Sequence, residues 1–180
     1  MVEGTWISKA DAITQLKRTG EARTLLQKAD QVFAKIYGDD NETRAKLAMN
    51  LAEVETAENH FDVAAADYRR ALAIIERVIG PDSQEAAGMH RDIAYALALD
   101  GKLDAAIAEA QQGITMLDGM GPDAEPRLIG ALTELANMQT AKGISGIAAA
   151  RRAVALAEKH AAGAGDAELA AARDALKNAR

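Results

Sequence analysis

The chain has no cysteine, which excludes disulfides, thiolate metal sites and a cysteine nucleophile. Aromatic residues make up only 3% of it. Alternating runs of β-branched and aromatic residues, the mark of strands, are absent. No uninterrupted apolar run approaches the roughly 18 residues that a membrane-spanning helix needs. The opening stretch MVEGTWISKADAITQLKRTG lacks the apolar centre of a secretory leader. Positive charge is also short: the net charge is −6 and the isoelectric point about 5.1. A nucleic-acid ligand, which calls for clustered Lys and Arg, is disfavoured. A cytoplasmic-type protein with no membrane or nucleic-acid partner is the expectation.

What the chain does have is alanine, which supplies much of a 49% hydrophobic content and favours helices because it loses no side-chain entropy in them. It also has a period. Leu51, Ile93 and Leu135 stand 42 residues apart, and so do Ala52, Ala94 and Ala136. Asn59, Gly101 and Gly143 keep the same register, as do Ala64, Ala106 and Ala148, and Ala71, Gly113 and Ala155. Gly80-Pro81-Asp82 returns as Gly121-Pro122-Asp123 after 41 residues, and Gly38-Asp39-Asp40 precedes it by 42. Repeats of this length are supersecondary units that bury their apolar faces by stacking.

Each copy reads as a helix pair. Thr5–Thr19 and Glu21–Tyr37 form the first, split at Gly20. Glu42–Ala57 is followed by a turn, then by a helix that Asp62 caps and that runs to about Ile79. Gly80-Pro81 ends that helix, and Asp82 or Ser83 caps the next. Further helices are expected over 84–99, 104–118, 126–141 and 145–161. Gly163-Ala164-Gly165 reads as a break, and Asp166 as the cap of a last helix with polar Glu168, Asp174 and Lys177 outward. The pattern predicts an all-α chain of about four antiparallel helix pairs in one domain, 1–180. The pairs lie approximately at 5–38, 42–80, 84–121 and 126–161, with a capping helix at 166–179. Small residues such as Ala52, Ala64 and Ala71 fit where paired helices cross, with Phe61, Tyr68, Leu72 and Ile75 around them.

No catalytic cluster emerges. His60 falls in a turn, His90 at a packing position and His160 at a helix end, where the dipole favours it. Asp39, Asp40 and Asp62 fall at helix caps. The short motifs of metalloproteases, serine hydrolases, phosphate-binding loops and calcium loops are missing. The chain is expected to be no enzyme and to need no cofactor or metal.

The matching residues Asn50-Leu51-Ala52, Phe61, Ala64, Tyr68, Arg70-Ala71-Leu72, Ile74, Glu76 and Gly80-Pro81-Asp82 resemble a tetratricopeptide repeat. The variety is the 42-residue one of kinesin light chains and many bacterial regulators. Ile93-Ala94, Gly101-Lys102-Leu103 and Ala105-Ala106 continue the likeness, which spans about 20–161. Glu55 and Gln139 stand where the family has an aromatic, and Ser145 where it has an aromatic or leucine, which suggests local slack in packing.

The resemblance implies a right-handed superhelical solenoid whose concave groove is lined by the first helix of each pair. Its groove positions fall on Lys46, Met49 and Glu53, on Gly88, Arg91 and Tyr95, and on Gly130, Thr133 and Asn137. A clamp for an acidic C-terminal tail would place Lys, Asn and Arg where this chain has Met49, Glu53, Asp92, Gly130 and Glu134, with Asn50 alone suggestive. The expected function is a non-catalytic scaffold docking a basic or apolar peptide or partner protein. The alternatives are a self-assembling oligomer, for which Trp6 near the N-terminal edge is the motive, and the docking segment of a larger regulator.

Overall fold

The computed structural model describes residues 18–160 and 166–179. Among these, every regular element is helical: α1 Thr19–Tyr37, α2 Glu42–Ala57, α3 Phe61–Val78, α4 Gln84–Leu99, α5 Leu103–Gly119, a 3₁₀ turn Pro122–Ala124, α6 Glu125–Ala141, α7 Ile147–His160 and α8 Asp166–Asn178. Of the first expected helix, Thr5–Thr19, all but the last two residues lie outside the described residues, and Trp6 with them. No helix among the described residues is long and apolar enough to cross a membrane. The chain divides into two compact units, Met1–Asp100 and Gly101–Arg180.

In the first unit α2 packs against α1 and α3, and α3 against α4. Ala22, Leu26, Ala29 and Phe33 of α1 meet Leu47, Leu51 and Val54 of α2 in one apolar cluster. A fully buried leucine such as Leu26 or Leu47 contributes about 1.5–3 kcal/mol relative to exposure. Ala52, Ala64, Ala71 and Ala94 are wholly buried, as expected of crossing points that admit only a methyl group. Gly38 and Gly80 take positive φ after their helices, the conformation in which glycine carries no Cβ penalty.

Three local expectations change. The second helix of the first pair begins at Thr19, two residues before Glu21, so Gly20 lies in its first turn. In a first turn the N–H groups have no helical partner in any case, and Arg18 clasps Glu21 across that turn through two hydrogen bonds of 2.7 and 2.6 Å. Asp62 is not the cap of α3, which starts one residue earlier behind His60. There Asp62 sits in the first turn, where its charge suits the helix dipole. Of the two candidates at the head of α4, Ser83 is the cap: its Oγ accepts from the Ala86 N–H at 3.1 Å.

In the second unit α6 packs against α5, α7 and α8, and α7 against α8. The turn positions keep the 42-residue register, since Asn59, Gly101 and Gly143 all have φ between 63° and 79°. Beyond Gly143 it breaks. Helix α7 starts at Ile147, 44 residues after Leu103, so Ala148 and Ala155 are exposed while Ala150 is fully buried and Ala157 nearly so. Ser145 and Gly146 are the inserted pair. Gly146 is buried so tightly that a Cβ there would collide with the backbone carbonyl of Ala136, which is why the start of α7 can lie against α6 only with glycine. On α8, Ala172 and Ala175 are buried and Glu168, Asp174 and Lys177 are exposed.

Candidate partner-docking site

The repeat register places equivalent outward rows on α2 and α4. Lys46, Met49 and Glu53 lie on α2 at spacings of three and four, which is one helical stripe, and Gly88, Arg91 and Tyr95 repeat it on α4. Lys46, Glu53, Arg91 and Tyr95 are exposed and Met49 is half-buried. Tyr95 leaves 51% of its surface to solvent, and Leu99 one turn on leaves 42%.

Tyr68 of α3 is buried and hydrogen-bonded to Thr56. Burial, and then the nearby carboxylates of Asp92 and Glu53, push its hydroxyl far above the usual tyrosine range. It stays protonated at any physiological pH. Burial also raises the Asp92 carboxyl, opposed by Arg91. That guanidinium stands 3.8 Å away, beyond a hydrogen bond. The face combines two carboxylates, a half-exposed ring and a thioether.

In the second unit the same row falls on α6. Asn137 is exposed and Gly130 half-buried, but Thr133 is only 8% exposed. Its hydroxyl donates to the Ile129 carbonyl of its own helix at 2.8 Å. Asn50, the one residue suggestive of an acidic-tail clamp, likewise turns its amide to the Lys46 carbonyl at 2.7 Å.

A second polar cluster was not visible in the pattern. Glu55, read as slack packing, is almost fully buried. Arg23 of α1 grips its carboxylate from Nε at 2.7 Å and Nη2 at 3.0 Å and also donates to Glu58. The His60 ring approaches Glu55 at 2.9 Å. Glu55, Glu58 and His60 offer three ligand atoms close enough together for a metal ion. The Arg23 guanidinium already supplies the cation these carboxylates need, so the cluster is an ion-pair network that joins α1 to α2. His90 is half-buried, as a packing position requires. His160 pairs through Nε2 with Glu125 at 2.7 Å.

The family model described as Tetratricopeptide repeat matches residues 2–77. Crystal structures of the nearly identical TPR-like repeats of a putative kinesin light chain from Podosopora anserina share the fold. One superposes with a TM-score of 0.83 at 18% identity, covering 97% of this chain and 83% of that one. Another superposes at 0.75 and 19%, with the same coverage. BtubC (BKLC) from P. vanneervenii is similar at a TM-score of 0.64 and 16% identity, over 98% of this chain and 61% of that one. No curated protein matches the sequence. The stretch 2–77 thus resembles tetratricopeptide repeats, and the described residues have the all-helical fold of kinesin-light-chain-type repeats. Repeats of this kind generally mediate contacts between proteins.

Proposed function

We propose that the chain is a non-catalytic docking module that seats a peptide segment of a partner protein on the outward rows of α2 and α4. Lys46, Met49, Glu53, Arg91 and Tyr95, all of the first unit, make the contact. Thr133 is left out because its hydroxyl is engaged within its own helix. One observation carries the reading: two helices one repeat apart turn matched rows to solvent, with Lys46, Glu53, Arg91 and Tyr95 exposed. Met, Arg and Tyr are residue types that anchor peptides, through a pliable thioether, a planar fork and a flat amphipathic ring. Preformed helices lose little ordering entropy on binding.

Affinity capture on the parent and on an Arg91→Glu, Tyr95→Ala double variant of equal helicity tests it. A protein held by the parent and released by the variant supports the assignment. Capture that the variant leaves unchanged moves the binding surface elsewhere.

A further inference from the structure

We propose that the ends of α1 and α3 form a self-complementary edge on which a second copy of the chain docks. In a two-fold pair, Ile36, Tyr37, Val78 and Ile79 of one copy cover those of the other, and Lys35 of each copy meets Asp82 of the other. The edge shares no residue with the docking rows on α2 and α4.

Four large apolar side chains stand exposed there, and Ile36 leaves 62% of its surface to solvent. They come as doublets one repeat apart, Ile36-Tyr37 at the end of α1 and Val78-Ile79 at the end of α3. Two ion pairs hold the doublets side by side. Arg70 of α3 reaches Asp30 of α1. Two turns further, Arg77 Nε donates to Asp40, in the loop after α1, at 2.5 Å. Exposed side chains of this size offer roughly 300–400 Å² of apolar surface, within the range that marks interaction sites on monomers. Two copies face to face would bury about twice that before the polar rim is counted, toward the ~1,200 Å² at which stable interfaces begin.

The charges decide which partner fits. Asp39 and Asp40, within the edge, are already bound by Arg44 and Arg77. Lys35 stands one repeat before Arg77, and Asp82 one repeat after Asp40. Both are exposed and have no partner among the described residues. The position that would complete the next such pair, one repeat after Arg77, is Gly119. The edge therefore carries an open cation at the α1 end, an open carboxylate beyond α3, and hydrocarbon between. A two-fold axis through its middle brings each cation onto the other copy's carboxylate, as an isologous interface requires. A partner of one charge sign would suit one end and oppose the other.

Sedimentation equilibrium of the full chain from about 1 to 200 μM is the test. The mass rises from the 19.0 kDa monomer toward two copies and stops there. Lys35→Glu and Asp82→Lys each weaken the dimer about tenfold, because each sets like charges together at both symmetric contacts. Thermal melts verify that both variants fold. The double variant Lys35→Glu, Asp82→Lys regains the parent's dissociation constant, and so does an equimolar mixture of the two single variants. A chain that is monomeric throughout the range overturns the inference, as does a dimer that both single variants leave unchanged. Weakening that neither the double variant nor the mixture restores overturns it too, and so does a mass that grows beyond two copies. A monomer in which Ile36→Glu shifts the emission of Trp6, the single tryptophan, overturns it by assigning the edge to the chain's own N-terminal stretch.

Discussion

Arg44 Nε donates to Asp30 Oδ1 at 2.8 Å, joining α2 to α1. Arg44 is 8% exposed, whereas the positions one and two repeats later hold Ala86 and Leu128, both buried. Helix α2 thus keeps a guanidinium where α4 and α6 keep hydrocarbon. Asp39 and the Gly38 carbonyl accept from the same arginine, and Arg70 of α3 reaches the other oxygen of Asp30. Three helices meet on one carboxylate.

Removing one partner of such a pair leaves the other buried without its counter-charge. Arg44→Ala is expected to destabilise the chain by about 1–3 kcal/mol, read as a lower urea midpoint. Asp30→Asn costs less, because a neutral amide still accepts one hydrogen bond. In a double-mutant cycle the two sites are non-additive; additive losses would mean that the pair is incidental to folding.

Acid titration separates two kinds of carboxylate. Burial alone would raise Asp30 and Glu55, but Arg44 and Arg70 hold the first, and Arg23 and His60 the second, below the usual carboxylate range. Groups depressed in the folded state contribute stability that is complete above a pH of about 4 and lost as pH falls through their folded values. Arg23→Ala should therefore lower stability at pH 7 and flatten its decline toward pH 3.

Asp92 has the opposite sign. Burial raises its carboxyl in the folded state, so its charged form opposes folding at neutral pH. Asp92→Asn should raise the melting temperature at pH 7, and the gain should shrink as pH falls through the raised folded value. A variant that melts lower at pH 7 would show that the carboxylate has a stabilising partner.

The slip in the last helix pair sets two alanines against each other. Ala150→Leu, at a fully buried crossing, should cost about 1–3 kcal/mol by overpacking. Ala148→Leu, at an exposed position, should change stability by less than about 0.5 kcal/mol. The uninterrupted 42-residue spacing would reverse these two outcomes.

That contrast marks what the sequence carries openly. Ala52, Ala94 and Ala136 are each fully buried, and Asn59, Gly101 and Gly143 share one backbone conformation. Both sets follow from local rules of small size and positive φ. The burial of Arg44 and Glu55 does not. Glu55 depends on an arginine 32 residues away, and periodicity within one helix is blind to a partner on another. The break at Ser145-Gly146 escaped because equal spacing on either side of a turn says nothing about the turn's own length. At the candidate site, outward rows were legible from the repeat, but the burial of Tyr68 depends on helices packed together from distant parts of the chain.

The docking face is tested most directly by site-specific photocrosslinking. The photoreactive residue p-benzoylphenylalanine is placed at position 95 on α4 or, as a control, at exposed position 76 on α3, and each protein is irradiated with its captured partner. Adducts at position 95 and none at 76, with the crosslinked partner peptide identified by mass spectrometry, are the expected result. Adducts at 76 with none at 95 would contradict the assignment of the α2 and α4 rows as the binding surface.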